Sequence, residues 1–96
     1  MKKLILLLLF IPLVSCLQPA EEYFNSGYYK DEAKDYYGAI SDFNKAIELD
    51  PNDAKNYYNR AISKYYTNDL KGACEDARKS GSLGNPFLKM IEAACN

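Results

Sequence analysis

Histidine is absent from this 96-residue chain. Histidine is the side chain that most often acts as a general base near neutral pH, and it is the commonest metal ligand. The sequence also has no glycine-rich phosphate loop, no serine nucleophile elbow and no constellation of paired carboxylates. These absences argue against an enzyme, and they predict no catalytic residue, no metal site and no cofactor.

The sequence also lacks an apolar run long enough to cross a membrane. Two lysines, Lys2 and Lys3, precede an eleven-residue apolar run from Leu4 to Val14. As a helix this run would rise about 17 Å, little more than half of a hydrocarbon core about 30 Å thick. A positive start followed by a short apolar run is typical of a secretory signal. An ordinary signal peptide cut at a small residue and a buried helix remain alternatives.

Residues 13–16 read Leu-Val-Ser-Cys and resemble the lipobox of bacterial lipoproteins. The resemblance implies that residues 1–15 are removed and that Cys16 is acylated, with residues 16–19 as a short tether. At least two acyl chains, such as palmitate, give the stable membrane anchoring that one chain does not. The resemblance to a lipobox further implies a location in the bacterial cell envelope. Leu17 follows the cysteine where an Asp would favour inner-membrane retention, so the outer membrane or the periplasmic face is expected.

Acidic residues only slightly outnumber basic residues in this chain. The chain has 12 Lys plus Arg and 13 Asp plus Glu; removal of Lys2 and Lys3 with the leader leaves 12 − 2 = 10 positive and 13 negative charges, a net charge of −3. A mild acidity interspersed with basic residues argues against a nucleic-acid partner. Charge runs such as Lys30 to Glu32 and Glu75 to Lys79 are interpreted as solvated faces with local ion pairs.

The sequence repeats itself with a period of 34 residues. Residues 20–49 align with residues 54–83, and ten of the thirty aligned positions are identical. Each unit has a polar break in its middle, at Asp35 in the first and at Asn68 and Asp69 in the second. Such residues accept hydrogen bonds from the free amides at helix starts. The period therefore predicts two helical hairpins.

The repeat resembles the tetratricopeptide repeat over roughly two thirds of the chain. The signature places of that family fall on Tyr23, Gly27, Tyr36, Ala39, Phe43, Ala46 and Pro51. Small residues stand where two helices of a hairpin approach closely, and the aromatic residues are expected to fill the space beside them. Pro51 cannot continue a helix and is expected to follow its end.

The second unit departs from this pattern in two places. Ala77 stands where a large aromatic is usual and Ser80 where alanine is usual. Gly81 and Gly84 favour the left-handed conformation that ends a helix. Beyond them, Phe87, Met90, Ile91 and Ala94 recur on one face of a predicted helix. Because a repeat buries its apolar face only against a neighbour, this last helix is expected to cap the second hairpin.

The predicted fold is thus all-α, with two tetratricopeptide hairpins and a C-terminal capping helix. The predicted organisation is a lipoprotein signal peptide over 1–15, a lipidated tether over 16–19, a first repeat over 20–53, a second repeat over 54–84 and a capping helix over 85–96.

Two cysteines remain if Cys16 carries lipid, and both lie in an exported, oxidising context. By the resemblance, Cys74 takes the place of an aliphatic side chain that packs toward the next helix, and that helix carries Cys95. A disulfide between them would close a loop of about twenty residues and stabilise the fold by roughly 3 kcal/mol. Two buried free thiols are the alternative.

All nine tyrosines lie between residues 23 and 66. Tyr23, Tyr36 and Tyr57 match packing positions of the family, so they are expected in the core. The family's peptide-binding groove falls on Phe24, Asn25, Tyr28, Tyr58, Asn59, Ile62, Tyr65 and Tyr66, with Asp31 and Glu32 beside them. Aromatic anchors and amides suit the capture of a protein segment. The family's carboxylate clamp is not expected, because Phe24 and Tyr28 replace its polar residues.

The sequence therefore predicts a protein or peptide partner and an adaptor role for a membrane-anchored chain. The tyrosine face could instead pack on the capping helix, on the tether or on a second copy, which would make the chain a self-associating structural lipoprotein. A small carbohydrate- or peptide-processing subunit is the enzyme alternative, and it lacks any pairing of nucleophile and base.

Overall fold

The computed structural model describes residues 19–85 and residue 95. This part of the chain forms four helices and no strand: α1 spans Pro19–Glu32, α2 spans Tyr36–Leu49, α3 spans Ala54–Tyr66 and α4 spans Leu70–Ser82. The predicted leader and most of the tether and of the capping helix lie outside the described residues.

The helices pack as two successive hairpins. Helix α1 packs along α2 and α3 along α4, while α2 lies against α3 and α1 also contacts α3. The prediction of an all-α fold of the tetratricopeptide type is confirmed. Pro19 is the first residue of α1, the position where its missing amide hydrogen costs no helical hydrogen bond.

Each hairpin turns through the same three residue positions. Lys34 and Asn68 adopt left-handed backbone conformations with φ of 65° and 66°. The next residues, Asp35 and Asp69, cap α2 and α4 by accepting a hydrogen bond from the amide of the third residue beyond them, at 3.1 and 3.0 Å. The 34-residue period in the sequence is therefore a period in backbone geometry.

The two hairpins fill equivalent core positions with different volumes. In the first, Gly27 of α1 faces the fully buried ring of Phe43, and a methyl group on Gly27 would lie only 2.8 Å from that ring. In the second, Ala61 and Ala77 occupy the equivalent places and are both buried. Ala61 is one methyl group larger than Gly27, and Tyr58 and Ile62 pack against the Ala61–Ala77 pair.

The second hairpin ends with hydrogen bonds around Ser80. This buried hydroxyl donates to the carbonyl of Ala54 at 3.0 Å, and the Asn85 side chain donates to it at 2.9 Å. Gly81 lies within α4, so the expectation that it ends the helix is wrong. Gly84 is the residue with left-handed geometry, at φ 99°, just after the helix.

Two expectations about burial are also wrong. Tyr23 is 38% exposed and does not belong to the core, whereas Tyr57 is buried as predicted. Asp76, expected on a solvated face, is 5% exposed and is paired with Arg60 and Lys64. The repeat places Asp76 on the helix face that lies against α3, so its charge had to be paired rather than solvated.

Candidate functional site

The predicted groove residues lie on α1 and α3, the first helices of the two hairpins; we call these the inner helices, and α2 and α4 the outer helices. Two interhelical bonds join these helices at opposite ends. Lys55 Nζ lies 2.9 Å from Glu21 Oε2 at one end, and Ser63 Oγ donates to Asp31 Oδ1 at 2.8 Å at the other. The residues facing outward between these two bonds share one surface, which we call the α1–α3 face.

At the Glu21 end of this face, a lysine sits over an aromatic ring. Lys55 Nζ lies 4.8 Å from the centre of the Phe24 ring while it pairs with Glu21 and, at 3.1 Å, with Asp53. The hydrogen bond to Glu21 is the main cause that raises the pKa of Lys55 above its ordinary value, with burial opposing it and Asp53 adding to it. This end of the face is therefore occupied by the chain's own cation.

The middle of the face combines packing residues with exposed residues. The ring of Phe24 lies 5.9 Å from that of Phe43 and 6.3 Å from that of Tyr28, which is 45% exposed. Tyr58 and Ile62 are half-buried, with their inner sides against Ala61 and Ala77. Several of the predicted groove residues therefore pack against the core and also keep an accessible edge.

The two amides of the predicted groove differ. Asn25 is exposed on α1. The side chain of Asn59 donates to the carbonyl of Lys55 at 2.8 Å within its own helix. One donor of Asn59 is thus already used, and the expectation that both amides offer their full hydrogen-bonding capacity to a peptide is corrected for this residue.

At the other end, three tyrosines form a cluster next to a carboxylate. The rings of Tyr36 and Tyr66 stack with centres 4.8 Å apart and planes inclined by 11°, and Tyr65 meets Tyr66 edge-on at 5.7 Å. Tyr65 and Tyr66 are 49 and 59% exposed. Together with Asp31 these tyrosines form the aromatic end of the α1–α3 face.

Two neighbouring carboxylates, those of Asp31 and Glu32, lie at the aromatic end. Burial raises the pKa of Asp31, the hydrogen bond from Ser63 lowers it, and the neighbouring Glu32 raises it further. The pKa of Tyr36 is raised by burial and then by its electrostatic interactions with Tyr66 and Asp31. Asp31 therefore lies in the same electrostatic environment as the stacked rings.

Sequence reasoning missed the side chains that hold this face together. Ser63, Glu21 and Lys55 were not among the predicted site residues, and Tyr36 was expected to be core packing only. The repeat period offered a signal, because Glu21 and Lys55 are 34 residues apart and Asp31 and Ser63 are 32 apart. Residues about one period apart on the inner helices are spatial neighbours.

The disulfide lies on the other side of the second hairpin. Cys74 of α4 is bonded to Cys95, with Cα atoms 5.3 Å apart and a sequence separation of 21. The third cysteine, Cys16, lies outside the described residues. An open depression of about 330 Å³ borders the disulfide, and another of about 380 Å³ lies beside Tyr23 and Asp42. Neither depression coincides with the α1–α3 face.

Residues 19–85 and 95 contain neither a membrane-spanning helix nor a cluster of metal-binding side chains. None of the four helices is both long and apolar enough to cross a membrane. No three histidine, cysteine, aspartate or glutamate side chains converge there in a way that could hold a metal ion.

Comparison with known proteins supports a protein of the tetratricopeptide type. Over 66 residues, 69% of its length, the chain is 41% identical to a tetratricopeptide repeat protein 36 homolog of Nematostella vectensis. It is 38% identical over 72 residues to a STIP1 homolog of Dictyostelium discoideum, and 43% identical over 54 residues to tetratricopeptide repeat protein 36 of Danio rerio.

These relatives are longer than this chain. The matched regions cover 36, 13 and 29% of the three proteins, in the same order. No family model matches the chain. The similarity therefore concerns the helical repeats and not the whole of any relative.

Proposed function

We propose that this protein of the tetratricopeptide type is a protein-interaction module, anchored to a membrane through Cys16, that binds a peptide segment of a partner on its α1–α3 face. It acts by binding and not by catalysis. The observation that carries the proposal is the exposure of Tyr28 on α1 and of Tyr65 and Tyr66 on α3, two helices that the Glu21–Lys55 and Asp31–Ser63 bonds hold side by side. Tyrosine gives a large, rigid contact area with a polar tip, and it is enriched among the residues that dominate binding energy.

The shape of the face supports a peptide rather than a small molecule as its ligand. It runs along the inner helices from the Glu21–Lys55 pair to the aromatic end, and the two open depressions beside Tyr23 and beside the disulfide lie elsewhere. A small ligand needs a concave site that buries most of its surface. An extended segment can instead contact successive rings along the helices.

The membrane part of the proposal rests on residues 1–16 alone. The lipobox-like sequence at residues 13–16 and the preceding apolar run support acylation of Cys16 and a place in the bacterial cell envelope, on the outer membrane or the periplasmic face. To test it, the full chain and its Cys16→Ala variant are expressed in bacteria with labelled palmitate. Label in the membrane fraction that disappears with Cys16→Ala supports the proposal; an unlabelled wild-type chain contradicts it.

Peptide binding is tested with the purified full-length chain and a phage-displayed random dodecapeptide library. Selected peptides are expected to bind the Tyr28→Ala/Tyr65→Ala variant at least about tenfold more weakly, since loss of two interface anchors at about 1 to 2 kcal/mol each gives that change or more. Tyr37→Ala is the matched control, because Tyr37 is 75% exposed on the outer helix α2. Selected peptides that bind all three proteins equally would contradict the proposed face.

Self-association is the competing function, and the same exposed tyrosines favour it. Sedimentation of the full chain over a hundredfold range of concentration distinguishes the two. A sedimentation coefficient that rises with concentration and returns to the monomer value in the Tyr28→Ala/Tyr65→Ala variant would assign the face to a second copy of the chain.

A further inference from the structure

We infer that the aromatic end of the α1–α3 face receives a lysine or arginine side chain of the bound peptide, with Asp31 as its counter-ion and the tyrosine rings as its walls. The inference rests on the proposed function, because it specifies the chemistry of the peptide that the face binds. It is carried by a carboxylate that has no cationic partner among the described residues, an exposed aromatic stack and a matching arrangement at the other end of the face.

Asp31 differs from the other carboxylates that lie between described helices. Asp42 pairs with Lys30 at 2.9 Å, and Asp76 pairs with Arg60 and Lys64 at 2.7 and 3.0 Å. Asp31 accepts a hydrogen bond from the Ser63 hydroxyl, and no lysine or arginine of the described residues pairs with it. A partly buried carboxylate with only a neutral donor gains by acquiring a cation.

The lysines near the aromatic end do not supply this cation. Lys30 is held by Asp42, and Lys64, one residue after Ser63, is held by Asp76. Lys34 lies in the loop after α1, and the described part of the chain shows no ion pair between it and Asp31. Glu32 adds a second negative charge beside Asp31. The local charge therefore attracts a basic group from outside.

The aromatic rings provide the second part of a cation site. Ring faces carry negative electrostatic potential and attract ammonium and guanidinium groups within about 6 Å. Tyr66 stacks on Tyr36, and more than half of its surface is exposed, so its ring remains accessible to a ligand. Asp31 is bonded to Ser63, which precedes Tyr66 by one helical turn on α3, so the carboxylate and the stack lie close together.

The opposite end of the same face has an aromatic ring, a carboxylate and a cation in contact with one another. There Lys55 lies over the Phe24 ring at 4.8 Å and pairs with Glu21 at 2.9 Å. Ring, carboxylate and cation are all present at that end, whereas the aromatic end has the rings and the carboxylate. A peptide side chain would complete the second site with the chemistry that the chain already uses in the first.

The first test is the composition of the peptides selected from the dodecapeptide library by the full-length chain. Lysine or arginine is expected in most of them, and one such peptide is then made in two forms, with the basic residue and with norleucine in its place. Asp31→Asn preserves the acceptor for Ser63 and removes the charge. It should weaken binding of the basic form by about fivefold, as the loss of a partly exposed ion pair predicts, and leave the norleucine form unchanged.

Two further variants make the test specific. Tyr66→Leu keeps an apolar side chain but removes the ring face. The variant should therefore lose affinity for both forms, and the loss for the basic form should be about three times that for the norleucine form. Glu48→Gln removes an exposed carboxylate on α2, away from the α1–α3 face, and should leave binding of both forms unchanged.

The outcomes separate this inference from the proposed function. Selected peptides without enrichment in basic residues, or an Asp31→Asn variant that binds both forms like the wild type, would overturn the basic-residue site and leave peptide binding in place. A wild-type chain that selects no peptide at all would overturn both.

Discussion

Asp76 on α4 accepts two hydrogen bonds from Arg60 on α3, one from Nε and one from Nη2, both at 2.7 Å. The equivalent aspartate of the first hairpin, Asp42, instead accepts a hydrogen bond from the Ser26 hydroxyl at 2.6 Å. Ser26 and Arg60 are 34 residues apart, as are the two aspartates. The two hairpins thus share the acceptor and differ in the donor. In the second hairpin, the planar guanidinium of Arg60 donates to both carboxylate oxygens of Asp76.

Asp76→Asn should be among the more destabilising conservative changes in the chain. It leaves Arg60 and Lys64, both mostly buried, without their counter-ion, and breaking a buried ion pair costs about 3 kcal/mol. Asp42→Asn is the control and should cost about 1 kcal/mol or less, because Lys30 is 42% exposed. Urea unfolding of the full chain measures both; equal costs would contradict this distinction.

Tyr57→Phe should lower the free energy of unfolding by about 1 kcal/mol. The Tyr57 hydroxyl donates to the carbonyl of Pro51 at 2.8 Å and ties α3 to the turn before it, and the side chain is buried. Tyr37→Phe serves as the control, since Tyr37 is exposed, and should have no measurable effect. A stability loss shared by both variants would show that the hydrogen bond to Pro51 is not its source.

Reduction of the disulfide should lower the stability of the chain by about 3 kcal/mol, because the bond closes a loop of 21 residues in the unfolded state. Thermal unfolding followed by circular dichroism, with and without reductant, measures the change. The Cys74→Ala/Cys95→Ala variant should melt at the lower temperature in both conditions. If the melting temperature of the wild type is the same with and without reductant, the disulfide does not contribute to stability.

Asp31→Asn should stabilise the free chain slightly at pH 7 and not at pH 3. The folded-state pKa of Asp31 is raised, mainly by burial, so the folded state binds its proton more tightly than the unfolded state. Stability from this group is then present at low pH and is lost as the pH rises above the ordinary value of 3.8 through the folded-state pKa. Because Asp31 is only partly buried, the gain should be a few tenths of a kcal/mol.

Urea unfolding at the two pH values checks this prediction, with Glu48→Gln as the control for loss of an exposed carboxylate. A variant that is less stable than the wild type at pH 7 would mean that ionised Asp31 already has a favourable partner in the free chain, which would also weaken the case for a peptide cation there.

Local signals in the sequence predicted the hairpins well. Asp35 and Asp69 were identified as polar breaks, and each accepts the amide hydrogen bond of a helix start. Pro51 follows the end of α2, as its missing amide hydrogen requires. These predictions succeeded because caps and breaks depend on a few neighbouring residues, whose conformational preferences act at short range.

Predictions that depended on neighbours far away in sequence were less successful. Tyr23 matched a packing position of the family but remains partly exposed, whereas Asp76 looked like part of a solvated charge run and is buried. In the same way, no residue next to Ala77 in sequence predicts that Tyr58 and Ile62 of α3 pack against its pair with Ala61. Burial is decided by the surface that another helix presents.

The sequence by itself determined the helical period, the positions of the caps and the placing of aromatic residues on the inner helices, because these follow from spacing along one chain. Tertiary structure decided which of those aromatic residues are exposed and which carboxylates have a cationic partner among the described residues. Pairing and packing energies depend on distances between helices, and only the folded arrangement of α1 and α3 leaves Asp31 next to the Tyr36–Tyr66 stack without a cation from the described residues.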